Sequence, residues 1–282
     1  MSDESSSPKV NADELSPDHQ RRIVRERYAD IATSSTDCCG GADTTACDDA
    51  TDDPERGVER HARSMGYSGA DLEVAPAEAN LGLGCGNPTA IASLETGDTV
   101  LDLGAGAGFD CFLAAREVGP DGQVIGVDMT PEMVERARKN AEKNDVANVE
   151  FRLGEIEHLP VGDESVDVII SNCVVNLSPS KAQVFRDAAR VLRPGGRLAI
   201  SDVVQTAPFP PGVRTDPDAV SACVAGASTV SELESLMEDA GFTAVSIEPM
   251  SASETFIREW DDERDLSEYL VSATIEGKKP TN

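Results

Sequence analysis

Basic side chains are scarce in this 282-residue chain: 24 Lys and Arg stand against 52 Asp and Glu, and six of the 24 are lysine. A net charge of −28 leaves no clustered cation to meet phosphates, so nucleic acid and anionic lipid surfaces are excluded as partners. No apolar run approaches the length of a membrane span. The start, Met1-Ser2-Asp3-Glu4, lacks the basic and apolar regions of a signal peptide, so a soluble cytoplasmic protein is expected. Aromatics make up 4% of the residues, and the three histidines, His19, His61 and His158, are scattered. Without a His-x-x-His or Cys-x-x-Cys spacing, no bound zinc cofactor is expected. What is abundant is acid, whose self-repulsion points to a cytosol of high salt; the plainer alternative is an ordinary protein with an acidic tail. The hydrophobic share, 39%, is enough for a core.

Residues 1–18 read as a disordered acidic tail. Residues 19–96 read as an N-terminal lid and cysteine loops: an amphipathic helix over about 18–32, a mobile loop holding Cys38-Cys39-Gly40-Gly41, then short irregular pieces from 57. Over 97–205 the rhythm is strand and helix in alternation. Strands are expected at Val100–Leu103, Val124–Val127, Val149–Leu153, Val166–Ser171 and Arg197–Asp202, and helices at Gly108–Glu117 and Ser180–Leu192. Another helix follows Thr130 and Pro131. This is the pattern of a mostly parallel sheet with helices on both faces. Residues 206–282 hold a cap insertion, a helix over Val230–Ala240 stopped by Gly241, and closing strands at Ala244–Glu248 and Glu268–Ile275.

The run Leu101-Asp102-Leu103-Gly104-Ala105-Gly106-Ala107-Gly108 leaves a strand and enters a helix. Its glycines allow a sharp turn and a ligand's close approach, although a Gly-x-Gly pattern alone often marks only a tight turn. Asp128 ends the next strand, where an acidic side chain accepts hydrogen bonds from ribose hydroxyls. No basic residue waits for a pyrophosphate. The combination favours S-adenosylmethionine over a dinucleotide and resembles the Rossmann-like methyltransferases.

Seven cysteines in an intracellular chain point to metal binding or catalysis before disulfides. Cys85, Cys173 and Cys223 each fall in a loop or at a strand end around the glycine-rich core. A lone cysteine is more often a small buried hydrophobe. Three around one core suit a soft, thiophilic atom, because thiolate is the soft donor among side chains. Cys111 reads as core, and Cys47 has no assigned role.

Gly84-Cys85-Gly86-Asn87-Pro88, the run from Leu101 to Ala114, Asp128-Met129-Thr130-Pro131-Glu132-Met133, the run from Arg152 to Pro160, and Ser171 to Pro179 together resemble the arsenite methyltransferase family. The stretch Asn172-Cys173-Val174-Val175-Asn176-Leu177-Ser178-Pro179 is the most specific of these. It also lacks the paired prolines and aromatic that usually follow this strand in enzymes methylating the amino groups of nucleic acid bases.

The resemblance implies a Rossmann-like α/β fold with a seven-stranded sheet, an N-terminal lid and a small C-terminal cap. It implies methylation of thiol-bound trivalent arsenic in arsenic detoxification, with Cys85, Cys173 and Cys223 as the arsenic-binding thiols and no metal cofactor. Cys38 or Cys39 matches the upstream redox cysteine. Asp102, Gly104, Gly106, Gly108, Asp128, Met129, Glu155, Ile156 and Asn172 would surround S-adenosyl-L-methionine. An external thiol reductant, thioredoxin or a small thiol, would reset the enzyme. The site is expected to lower the thiol pKa values for ligation, with no general base. The competing readings are a methyltransferase for a small carbon or oxygen nucleophile and a thiol-based metalloid sensor.

Overall fold

Strand β1 (Thr99–Leu103) is buried from both sides because its residues alternate between two apolar layers. Val100 packs with Cys111, Phe112 and Leu113 on one face, and Leu101 and Leu103 pack with Phe185 and Leu192 on the other. The computed structural model describes residues 15–34, 54–260 and 264–281. Among these, β1 is joined by β2 (Gln123–Asp128), β3 (Val149–Leu153), β4 (Val166–Asn172), β5 (Leu192–Gln205), β6 (Thr243–Met250) and β7 (Leu270–Lys278). The strands form one sheet in the order β3-β2-β1-β4-β5-β7-β6. Five strands run parallel and β7 pairs antiparallel with both β5 and β6.

The helices are α1 (Pro17–Thr33), α2 (Pro54–Ser64), α3 (Gly69–Val74), α4 (Pro88–Ala92), α5 (Phe109–Val118), α6 (Pro131–Lys143), α7 (Lys181–Val191), α8 (Pro217–Ser221), α9 (Val230–Asp239) and α10 (Glu254–Ile257). Helices α5 and α6 supply apolar residues to one layer, and α7 and α9 to the other. Each βα crossover puts a helix on a sheet face, which accounts for the two layers.

Several boundaries differ from those expected. Pro17 and Asp18 belong to α1 and not to a tail, because Ser16 caps the helix and Pro17 suits its first turn. The stretch from 57 is helical in short pieces: Ser68 and Asp71 form a capping box for α3, and Asn87 caps α4 ahead of Pro88. Strand β5 extends to Gln205 because β7 pairs with it from Arg197 to Gln205. Strand β7 starts at Leu270, after a 3-10 turn over Leu266–Glu268. Cys38, Cys39 and Cys47, with the tail over 1–14, lie outside the described residues.

Strand β1 has β2 on one side and β4 on the other, and the chain reverses its direction of travel across the sheet at β1. Ligands of open α/β sheets bind at such a crevice, beyond the carboxyl ends of the strands. A third apolar cluster covers this end. It contains Val24 of α1, Leu177, Val203, Val220, Phe256 and Ile257, together with Cys85, Cys173 and Cys223.

Candidate active site

The glycine loop leaves β1 through positive-φ backbone at Gly104 (71°) and Gly106 (52°). A Cβ on Gly104 would stand 2.4 Å from a Val174 methyl, whereas one on Gly106 would meet nothing of the protein within 4 Å. The loop is therefore packed at Gly104 and open at Gly106, facing a cavity. Asp102, Gly104, Gly106, Asp128, Met129, Ile156, Asn172 and Cys173 all line that cavity. Asp128 accepts from the Gly106 N–H at 3.0 Å and the Thr130 N–H at 2.8 Å. A carboxylate has about four acceptor sites, so Asp128 keeps capacity for further donors. Burial raises its pKa.

Two expected neighbours are placed elsewhere. Gly108 caps α5 at φ 96°, and a Cβ there would meet Phe151 at 2.7 Å, so it serves packing. Glu155 pairs with Arg21 and Arg25 of α1, at 3.5 and 3.7 Å, and is not among the residues lining the cavity, whereas Glu157 is.

Helix α1 supplies a wall through Arg21, Val24 and Tyr28. It is fastened by Arg21 to Glu157 (3.2 Å), Gln20 to the Leu177 carbonyl (3.0 Å) and Arg27 to Ser221 (3.1 Å). Arg21 is the sole cationic side chain lining the cavity among the described residues, and it is paired with carboxylates. An apolar wall, a free carboxylate edge at Asp128 and an open Gly106 fit a nucleoside with no pyrophosphate, as S-adenosylmethionine is.

At the other end of the cavity Asn172 joins helix α5 to the loop that bears Cys85. Its side-chain carbonyl accepts from the Cys85 N–H (3.0 Å), and its amide donates to the Gly86 carbonyl (2.8 Å), Tyr67 Oη (3.0 Å) and Asp110 (3.3 Å). Tyr67 in turn donates to Asp110 at 2.6 Å. Burial pushes Asp110 up to about 6, and burial with the neighbouring Asp110 charge raises Asp102. Cys111 is buried as expected and donates to Asp102 at 3.2 Å.

Two of the thiols come together with an acid, and the third stands beside one of them. The Cys85 and Cys173 sulfurs and a carboxylate oxygen of Asp202 lie within 4.8 Å of one another. Cys223 Sγ reaches the Cys173 carbonyl at 2.6 Å. Cys85 is anchored further by Ser272, whose hydroxyl donates to its carbonyl at 2.6 Å. Cys173 and Cys223 both hold left-handed backbone, φ 59° and 64°, which costs a non-glycine residue about 1–2 kcal/mol each. Strain of this kind gathers where a site dictates the conformation.

The thiols are not acidified as expected. Burial pushes Cys85 up to about 11. Its interaction with Cys173, together with burial, raises Cys223. For Cys173 the contact with Cys223 favours the thiolate, and the contact with Cys85 and burial outweigh it. The nearby Asp202 charge raises all three.

Asp202 is the residue that sequence reasoning missed; its only signal was an acid at the carboxyl end of a buried strand. It is 1% exposed. Its carboxylate accepts from the Val203 N–H (2.8 Å), Asn176 Nδ2 (2.8 Å) and the Asn176 N–H (3.2 Å), so it braces the turn after Cys173. Gly226 then abuts the same turn: a Cβ there would lie 2.0 Å from the Asn176 carbonyl oxygen. The loops bearing Cys173 and Cys223 are thus fixed to one another.

Comparison with known proteins agrees with this geometry. A methyltransferase-domain family matches residues 94–241. An arsenite methyltransferase of Halobacterium salinarum is 62% identical over 270 residues, covering 94% of this chain and 68% of that protein. The human arsenite methyltransferase is 40% identical over 152 residues, 51% of this chain and 40% of that protein. The crystal structure of an arsenic(III) S-adenosylmethionine methyltransferase from Chlamydomonas reinhardtii superposes with a TM-score of 0.58. It shares 35% identity and covers 81% of this chain and 74% of that one. With a methyltransferase crevice at β1 and a nest of three thiols beside it, the chain belongs to the arsenite methyltransferase family.

Proposed function

We propose that this chain methylates trivalent arsenic held by Cys85, Cys173 and Cys223, with S-adenosylmethionine in the adjoining cavity. The observation that carries the reading is the clustering of the Cys85 and Cys173 sulfurs, with Cys223 Sγ against the Cys173 carbonyl and Cys173 also lining the glycine-loop cavity.

The raised thiol pKa values suit this substrate. Arsenite is neutral and carries three hydroxyls. When three thiols replace them, each thiol proton leaves with a hydroxyl as water, so no net charge enters or leaves the buried site. A thiol held protonated is then no obstacle, and no free thiolate needs to be maintained in an apolar cluster, where its desolvation would be costly. S-adenosylmethionine supplies a methyl group on a cationic sulfonium. The chain's share of the work is positioning: Asn172 and Asp202 hold Cys85 and Cys173 in place, and Tyr28 and Val24 of α1 exclude water from the same cavity. The arsenic lone pair is the nucleophile, so the transfer needs no general base. The small-nucleophile reading would need one, and it gives the clustered thiols no role.

Methyl transfer leaves arsenic oxidised by two electrons. Cys38 or Cys39 would return them by forming a disulfide with Cys85, and an external thiol such as a thioredoxin or a small thiol would restore the reduced pair. The test is incubation with arsenite, labelled S-adenosylmethionine and a thiol at high salt, with speciation of the products. Cys173→Ser and Cys223→Ser should abolish every methylation step, while Cys38→Ser or Cys39→Ser should block the first and spare a later one. Arsenite binding without any methylated product would favour the sensor reading.

A further inference from the structure

We infer that Cys85, Cys173 and Asp202 also form a site for a divalent cation of borderline softness, zinc, and that zinc and arsenic exclude one another there. Trivalent arsenic calls for sulfur alone. A buried carboxylate beside the sulfurs contributes no ligand to that set. Two thiols and a carboxylate with mutual donor separations within 4.8 Å are, by contrast, a set that zinc accepts from Cys and Asp. All three residues are buried, at 0%, 7% and 1% exposure, so the cation would be taken out of water with its charge met.

The absence of Cys-x-x-Cys and His-x-x-His spacings argued against zinc in the sequence. The ligands here come instead from three separate places: the turn before α4, the residue after β4, and a position within β5. Local spacing is silent about such a site.

The bonding balances. One divalent cation, two thiols and one carboxylate give a complex of charge −1 and two released protons. Arsenite binding exchanges thiol protons for water and changes no charge. The two occupants therefore differ in what Asp202 does for them: it is a ligand to the cation and only a brace for the metalloid site. Because both use Cys85 and Cys173, a chain loaded with zinc cannot hold arsenic. Asp202 keeps the donor geometry suited to this. Its Val203 and Asn176 contacts fix the carboxylate, and the charge of Lys181 at the start of α7 favours its ionised form.

The experiment uses the full chain, reduced, freed of metals and kept in molar KCl, in a background of Cys38→Ser, Cys39→Ser and Cys47→Ser. It is titrated with cadmium(II) alone, read by the sulfur-to-cadmium charge-transfer absorbance that surface carboxylates do not produce. One cadmium per chain is expected, displaced by zinc and displaced by arsenite. Asp202→Asn should weaken cadmium at least about tenfold more than it weakens arsenite. Equal cadmium affinity in Asp202→Asn and its parent, or cadmium and arsenite bound together without displacement, would overturn the inference. If Asp202→Asn does not fold, X-ray absorption on the parent's cadmium complex decides: a mixed sulfur and oxygen shell supports the site, and sulfur alone sinks it. Cadmium binding in a chain that takes no arsenite would count against the arsenic reading and leave the cation site standing.

Discussion

Asn172→Ala should damage the active site and the fold together, by an amount the hydrogen bonds define. The side chain satisfies the Cys85 N–H at 3.0 Å and the Gly86 carbonyl at 2.8 Å. Alanine orphans both groups beneath the thiol nest. A buried group left without its partner costs about 1–3 kcal/mol, so the pair amounts to about 4 kcal/mol. For a chain of this size that lowers the melting temperature by roughly 10 °C. Thermal unfolding followed by circular dichroism in molar KCl measures it, with arsenite affinity measured in parallel below the transition. The affinity should fall with the stability, because the same bond positions Cys85. Asn172→Asp is the informative comparison. It keeps the acceptor for Cys85 but sets a second carboxylate where an amide now donates to Asp110 at 3.3 Å. It should therefore regain stability as the pH falls and one of the pair is protonated. A melting temperature for Asn172→Ala within about 2 °C of the parent, with arsenite affinity unchanged, would refute the reasoning.

Gly106→Ala should separate cofactor affinity from folding: its Cβ meets nothing of the protein within 4 Å but points into open cavity, at φ 52°. The expected result is a stability loss of about 1–2 kcal/mol with a larger loss of S-adenosylmethionine binding by calorimetry. Gly226→Ala should be the most disruptive glycine change near the thiols, since its Cβ would lie 2.0 Å from the Asn176 oxygen. Arsenite binding should vanish while the far sheet layer, followed by hydrogen exchange in β1 and β2, stays protected. Asp202 is raised by burial from 3.8 to about 6, so its protonated form is favoured in the fold. Its contribution is full below pH 3.8 and is lost as pH rises through about 6, an effect of about 3 kcal/mol. The unfolding free energy of the parent relative to Asp202→Asn should therefore decline by that amount between about pH 3 and about pH 8; a flat difference would contradict the assignment.

The alternation of strands with helices over β1 to β5, the glycines between β1 and α5, and the acid closing β2 were legible without coordinates. Each depends on neighbours in sequence: a short apolar run, positive φ and a strand end are local properties. The three thiols could also be picked out, as cysteines in loops and strand ends around one core. Their protonation was read in the wrong direction. Local composition says nothing of how completely a loop is covered, and the cover here comes from α1, α8 and α10, far away along the chain. Glu155 was misplaced for a related reason, since its direction is set by Arg21 and Arg25 of a helix more than a hundred residues earlier.

By itself, then, the order of residues determined the sheet and the crevice at β1, because those follow from strand and helix alternation and turn chemistry. The tertiary structure alone decided that Asp202 stands beside Cys85 and Cys173, that Asn172 ties Cys85 to Asp110 of α5, and that the pKa values of all three thiols are raised. Those outcomes depend on separations and burial between residues up to 187 positions apart, as in the bond from Ser272 to Cys85. Charge and desolvation act through space, so only the folded chain sets them.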